Sequence, residues 1–450
     1  MSIFKAYDIR GIYPEEFNEN KAYLIGLAIA EFIKPETVVI GRDARDSSED
    51  ICSALISSLT DKECKLINLN LVSTPILYHY AGSNKLPLGL MVTASHNASN
   101  FNGIKICQNG AKPISPEQIS TIGKMVEELE RKSSSPFLDS NDTSTNIMDI
   151  DPYPEYIKVV HGLASFNKGF KIAIDTANAI SGMVIPKVFN ELPVDIIPLY
   201  FELDGKFPNH QPDPLKKENT IDLQNKVVEN GCQIGAAIDG DGDRVMFIDE
   251  KGAYVPADMA TLLIALDLHE KQLLPKKIVI DTRMSKAVIE ILRNYGVEAV
   301  RGRVGHSFVK AKIHEINAFF AGELSGHYYF RENYYAESSD LAIVSMLNIL
   351  SRLKKPLSEL VRENNIYFHS GEINFKASNK QEVMDNMCDK FHDGQASFID
   401  GITIEYPHWW MNVRPSNTED ILRLNMEAKT KTELNTCLEK VSDFITKMSK

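Results

Sequence analysis

The sequence predicts an α/β protein of several domains, and three observations lead there. A strand–helix–strand pattern recurs three times, each copy ends in an unusual polar loop, and the residues after 366 follow a different pattern. At 450 residues the chain is also longer than one hydrophobic core fills.

Each copy opens on a short, β-branched run that ends in an acidic turn: TVVIGRDAR reaches Asp43, FKIAIDTANA reaches Asp175 and KIVIDTRMS reaches Asp281. Such runs read as buried strands leading into helices. A helical pattern follows, as in SKAVIEILRNYGV, with apolar residues at helical spacing and a Gly near the end. A second apolar strand closes each copy: LGLMVTASHN, QIGAAIDGDGD and NAFFAGELSGH. The three odd loops therefore fall at equivalent strand ends, where open α/β sheets bind ligands. SSSPFLDSNDTSTN, residues 133–146, reads as a polar linker before the second copy. Pro356 lies near the last boundary. Beyond it, YFHSGEINFKA and DGITIEYPHWWMNVRPSNTEDILRLNMEA suggest a small antiparallel sheet, followed by a helical tail.

Composition excludes several classes. A formal net charge of -12 argues against a general nucleic-acid surface, while leaving room for a local basic pocket. The six cysteines (Cys52, Cys64, Cys107, Cys232, Cys388 and Cys437) form no CxxC pair, which suits free thiols in a reducing compartment. The opening MSIFKAYDIRGIYPEEF is not a signal peptide. The apolar stretch YLIGLAIAEFI is too short to span a bilayer. A cytoplasmic protein with no membrane and no nucleic-acid partner is the expectation. No GxxxxGK[ST] and no GxSxG occurs, which removes P-loop and serine-hydrolase chemistry.

The loops carry the chemistry. MVTASHNASNFNGIKIC places Ser95 beside His96, among small residues. AAIDGDGDRVMFIDE brings Asp239, Asp241 and Asp243 together on a Gly-bearing turn. Carboxylates that close repel unless a cation sits among them, and hard oxygen ligands suit Mg²⁺ or Ca²⁺. An EF-hand is disfavoured, because Arg244 stands where its Gly belongs and the flanks read as strands. Mg²⁺ shares its charge with phosphate, and Arg244 could reach the same phosphate, which points to phosphoryl transfer. GELSGHYYF offers Glu323, Ser325 and His327 for sugar hydroxyls, and RVGHSFVKAK places His306 after a Gly. RPSNTEDILR gathers Arg414, Ser416, Asn417, Thr418 and Arg423, two guanidiniums and two hydroxyls fit for a phosphate.

Taken together, FKAYDIRGI (4–12), GRDARDSS (41–48), TASHN (93–97), NGIK (102–105), FPNHQPDP (207–214), DGDGDR (239–244), GHSFVKAK (305–312), GELSGHYYF (322–330) and RPSNTE (414–419) resemble the α-D-phosphohexomutase family. GELSGH, FPNHQPDP and RPSNTE look like its phosphomannomutase/phosphoglucomutase branch; Asn417 stands where glucosamine mutases more often have Gly. The resemblance implies four domains around a central cleft: three similar α/β domains, with mixed sheets sandwiched by helices, and a C-terminal α+β domain. The expected spans are 1–148 for the phosphoserine loop, 149–252 for the metal, 253–366 for the sugar and 367–450 for the phosphate.

The same resemblance implies the roles. Ser95 would be the phosphoserine that gives and regains a phosphoryl group. Asp239, Asp241 and Asp243 would hold Mg²⁺, with the Ser95 phosphate as a further ligand. Lys105 and His306 would serve as general acid and base, and Arg244 would stabilise the transferring charge. Tyr7, Arg10, His96 and Arg283 would line the substrate site. Glu323, Ser325 and His327 would grip sugar hydroxyls, and Arg414, Ser416, Asn417, Thr418 and Arg423 would bind the distal phosphate. Hexose 6-phosphate and 1-phosphate would interconvert through a reorienting hexose 1,6-bisphosphate, which is also the activator. Phosphoglucosamine mutase and a catalytically silent sugar-phosphate binder are the alternatives, and a monomer or weak homo-oligomer is expected. Three residues depart from the family pattern: Ala98 and Asp420 stand where Pro is usual, and Arg283 where a Lys is often found.

Overall fold

In the computed structural model, residues 3–5, 8–132, 147–271, 276–416 and 420–449 are described; the expected linker 133–146 lies outside them. The chain forms two compact units. One comprises Met1–Ala257 with Ser325–Ser358, the other Asp258–Leu324 with Glu359–Lys450.

The first unit holds two sheets built on one plan. In the first, strands Thr37–Arg42, Leu88–Val92 and Lys65–Leu71 run parallel, and Phe101–Gln108 pairs antiparallel with Leu88–Val92. Ile9–Ile12 adds to the far side of Phe101–Gln108, bringing Arg10 opposite Gly103. Ile25, Ile29, Leu55, Leu59, Ile119 and Val126 of three helices close over Val38, Ile40 and Leu90 as one core. In the second sheet, Phe170–Asp175 runs parallel to both Ile234–Ile238 and Val194–Leu199, and Val245–Asp249 is the antiparallel edge. A short hairpin, Tyr328–Phe330 with Ala336–Glu337, also belongs to this unit.

The second unit repeats the plan, with Lys277–Asp281 parallel to both Phe320–Gly322 and Glu298–Gly302. Its other sheet is antiparallel throughout, with Ile421–Ala428 paired to Trp409–Pro415, Ile373–Lys376 and Phe368–His369. Helices Lys380–Lys390 and Lys431–Met448 supply Met387, Val441 and Ile445 to its core. The fold is thus three α/β domains and a distinct C-terminal one.

One correction to the repeat follows. Each copy is strand–helix–strand–helix–strand, because Lys65–Leu71, Val194–Leu199 and Glu298–Gly302 intervene between the two strands read from the sequence. These intervening strands lie at or near a sheet edge and are only partly buried, so their sequences lack the continuous apolar run of a central strand. The acidic turns are also shared: Asp43, Asp175 and Asp281 are buried and each accepts the backbone N–H two residues on. That local bond shapes the turn leaving the strand.

Helix Ser339–Leu353 packs on helix Tyr153–Leu163 through a polar contact: the Tyr156 hydroxyl donates to Asp340 at 2.9 Å. Burial raises the Asp340 carboxyl to about 7, against the opposing pull of that hydrogen bond. In the unfolded chain it ionises near ~4. Between these values the folded state keeps a proton that the unfolded state has lost, so stability falls as pH rises across the window. Asp340→Asn removes this part of the slope. Urea unfolding is expected to find the variant more stable than the parent at pH 8 by on the order of a few kcal/mol, with little difference at pH 4. Parallel pH dependences for the two proteins would refute it.

Candidate active site

Register places the loops. Val92 lies opposite Arg42 and Ala237 opposite Asp175, so TASHN and DGDGDR both leave second strands beside the acidic turns. DGDGDR is the tip of the hairpin Ile234–Ile238/Val245–Asp249; strands flank it, as read, and not the helices of an EF-hand.

Within the first unit, Ser95 is fully buried and sits in the left-handed region at φ 50°. Its hydroxyl donates to Asp239 Oδ2 at 2.7 Å, and His96 Nδ1 lies 3.4 Å away. Asp239, Asp241 and Asp243 are all buried, their carboxylate oxygens close enough together to hold a metal ion. Lys105, on Phe101–Gln108, bridges Asp241 (2.5 Å) and Asp243. Arg244 Nε lies 3.9 Å from Asp239. Two cations therefore face three carboxylates, and Asp241 Oδ1 is buried without a hydrogen-bond partner. This donor set fits a hard divalent cation.

The charges set the protonation states. Burial and the facing Asp243 and Asp241 push the Asp239 carboxyl well up. Burial acts the same way on Asp243, but Lys105, with help from His327 and Arg244, overcomes it and holds that group well below its usual range. Burial, with Arg244 and Arg10 nearby, drives the His96 imidazole down to about 2. Burial lowers the Lys105 ammonium too, yet the three carboxylates more than offset it and raise its pKa.

Two further predicted residues join this cluster. Arg10 donates to the Asn97 side chain at 2.7 Å. His327 accepts from Arg244 Nε at 3.0 Å, and its Nδ1 meets Ser325 Oγ at 2.9 Å. His327 is thus tied to the carboxylate loop. Tyr7 lies outside the described residues.

The second unit gathers the remaining groups. Glu323 accepts the Gly305 N–H at 3.0 Å, fixing the turn from which His306 starts helix His306–Ile316. Arg283 Nε donates to Asp281 at 2.9 Å, and its guanidinium lies within the fields of Glu323 and Glu372. Arg414 and Arg423 are direct cross-strand partners. Like charges so placed repel unless an anion answers them. Glu372 does, at 2.9 Å from Arg414 and 3.5 Å from Arg423; burial pushes its carboxyl up, but the two arginines hold it low. Ser416 is buried beside them, while Asn417 and Thr418 lie outside the described residues. Asp420 is exposed and lies 3.5 Å from Lys380, which answers its charge.

Sequence reasoning missed three contributors. Thr74 donates both its hydroxyl (2.6 Å) and its N–H (2.9 Å) to Asp241. Glu372 carries no motif of its own. Gly240 admits the Ser95 loop, since a Cβ there would stand 2.2 Å from the Ser95 carbonyl oxygen.

Comparison with known proteins gives the family. The chain matches phosphoglucomutase/phosphomannomutase alpha/beta/alpha domain I over residues 1–133, domain II over 151–252, domain III over 256–366 and the C-terminal domain over 372–444. It belongs to the phosphoglucomutase/phosphomannomutase family. A phosphomannomutase of Methanocaldococcus jannaschii is 39% identical over 100% of this chain and 98% of its own. A phosphomannomutase/phosphoglucomutase of Pseudomonas aeruginosa is 32% identical over 96% and 93%. A crystal structure of a family protein from Burkholderia thailandensis superposes with a TM-score of 0.88 at 27% identity, covering 99% of this chain and 97% of its own. Among the described residues no helix is long and apolar enough to cross a membrane.

Gly240→Ala is expected to force the Ser95 loop and the carboxylate hairpin apart. The contact is backbone to backbone, so the cost is on the order of 2 kcal/mol or more. Thermal unfolding checks it, and a melting temperature equal to that of the parent would contradict the close approach.

Proposed function

We propose that the protein interconverts hexose 6-phosphate and hexose 1-phosphate, with mannose phosphates the leading substrates and glucose phosphates also accepted. One observation carries the reading: a buried Ser95 hydroxyl, 2.7 Å from Asp239, within a cluster of three carboxylates and a lysine. Its weight comes from a chain whose full-length relatives are named phosphomannomutase or phosphomannomutase/phosphoglucomutase.

Ser95 acts as the phosphoryl carrier. The free sugar hydroxyl attacks the phosphorus of phospho-Ser95; the new P–O bond forms as the P–Oγ bond breaks, and the hydroxyl proton leaves to a base. The product is a hexose 1,6-bisphosphate. After it reorients, the other phosphate returns to Ser95 by the reverse step, and the same bisphosphate supplies the first phosphorylation. Mg²⁺ held by Asp239, Asp241 and Asp243, with the Ser95 phosphate as a further ligand, would neutralise charge on the transferring group. Lys105 and His306 are the groups assigned to proton transfer, and Arg244 to the developing phosphoryl charge. Arg10, His96 and Arg283 are the groups assigned to the substrate, and Glu323 and Ser325 those assigned to sugar hydroxyls. His327 orients Arg244. Arg414, Ser416 and Arg423 bind the phosphate that is not being transferred, their pairing with Glu372 marking them as an anion site.

The test is kcat/KM for mannose 1-phosphate, glucose 1-phosphate and glucosamine 1-phosphate, with Mg²⁺ and a trace of hexose 1,6-bisphosphate. Fast mannose turnover is expected, and turnover of glucosamine 1-phosphate alone would overturn the substrate assignment. Ser95→Ala is expected to lose at least about 10³-fold in kcat while keeping its native circular dichroism, since the group that carries the phosphoryl is gone. Retained turnover in that variant would refute the phosphoserine mechanism.

A further inference from the structure

GRDARDSS contains an arginine that the mechanism above does not use. Arg45 is 3% exposed, and the Ser95 loop is folded around it. Its NH1 donates to the carbonyls of Ala98 (2.7 Å) and Phe101 (3.0 Å), and its NH2 to those of Ser95 (2.7 Å) and Asn97 (2.7 Å). Its Nε lies 3.2 Å from Asp43 Oδ2. Asp43 in turn accepts from Thr93 Oγ1 at 2.7 Å and Ser48 Oγ at 2.6 Å, and Thr93 Oγ1 accepts the Ser95 N–H at 2.9 Å. The Phe207 ring covers the guanidinium at 5.0 Å, and Gln211 donates to the His96 carbonyl at 2.9 Å.

We propose that Arg45 is a positioning residue for phosphoryl transfer: its guanidinium holds the carbonyls of Ser95, Asn97, Ala98 and Phe101 and so aims Ser95 Oγ at the carboxylate cluster. The inference rests on the phosphoserine reading. Two physical facts support it. A non-glycine residue at φ 50° is strained and persists only where its surroundings fix it. A planar guanidinium presents five donors in a rigid fork, which a lysine cannot reproduce. Four carbonyls answer the NH1 and NH2 donors of that fork, and the Asp43 carboxylate, paired by charge with Nε, offsets the burial of the guanidinium. The hydrogen bonds of Arg45 go to loop carbonyls, so it acts on Ser95 through the loop backbone; toward the carboxylate cluster it exerts a Coulombic pull on Asp241. The FPNHQPDP segment gains a purpose as well, since Phe207 and Gln211 close the loop from the other side.

The experiment compares Arg45→Lys and Arg45→Ala with the parent. The readouts are circular dichroism, kcat and KM for the hexose 1-phosphate turned over, and phosphate uptake by Ser95 from hexose 1,6-bisphosphate, measured by intact mass. Misaiming a reacting atom by about 1 Å costs on the order of 10²-fold. Arg45→Lys is therefore expected to fold, lose about 10²-fold in kcat and in the rate of Ser95 phosphorylation, and keep KM within about threefold. Free guanidinium at millimolar levels is expected to restore turnover of Arg45→Ala by about tenfold and leave the parent unchanged, because only that variant has the empty cup. A purely architectural role would lower the melting temperature and leave the folded fraction fully active. Arg45→Lys with kcat within about threefold of the parent overturns the proposal, as does a folded Arg45→Ala that guanidinium does not improve. If neither variant folds, Phe207→Leu decides, by whether kcat falls with KM unchanged. A parent protein that takes no phosphate from the bisphosphate refutes the phosphoserine reading itself; a parent that does, beside unaffected variants, refutes only the clamp.

Discussion

Three carboxylates meet at one buried hairpin tip, where two cations, Lys105 and Arg244, answer them. At the effective dielectric of a protein interior, unit charges 4 Å apart interact by several kcal/mol, so burying this tip requires the cations that face it. The rest of the first unit bears on that imbalance. Phe101–Gln108 carries Lys105 to the carboxylates, Thr74 donates twice to Asp241, and three backbone N–H groups of residues 242–244 converge on Asp239 Oδ1 at 3.1–3.2 Å. The donor set of a cluster held together by charge in this way fits a divalent cation.

The repeated sheet explains how the loops come to be placed alike. In each copy a parallel pair of strands ends together, the first in a buried Asp and the second in a functional loop. The Asp shapes the first turn through its own backbone bond. At Asp43 and Asp281 it also reaches the loop on the neighbouring strand, by Thr93 and by the Leu324 N–H at 3.4 Å. One structural device thus serves loops of different chemistry. In the second unit the same logic of compensation governs the arginines. Arg414 and Arg423 are forced opposite one another by strand register, and Glu372 balances them.

Much of this was legible in the chain itself. The central strands are continuous apolar runs because they are covered on both faces, so Leu88–Val92 and Ile234–Ile238, buried at every position, were readable without coordinates. Asp239, Asp241 and Asp243 were readable because alternation with Gly in a tight turn leaves their carboxylates little choice but to converge. Val194–Leu199 was not, since it is an edge strand with Pro198 in it and mostly half-exposed positions. The bond from Arg244 to His327 was equally hidden, because it joins residues 83 positions apart in the chain.

What the sequence determined by itself was local: the three repeats, the acidic turns, the metal-type carboxylates and the serine beside them, each fixed by spacing along the chain. What only the tertiary structure decided were the partnerships across distance. Arg45 lies 50 residues from Ser95, Thr74 lies 167 from Asp241, and Glu372 lies 42 from Arg414. Spacing along a chain carries no signal for such pairs. They are selected by which buried charge or carbonyl would otherwise stand unanswered once the strands are in register.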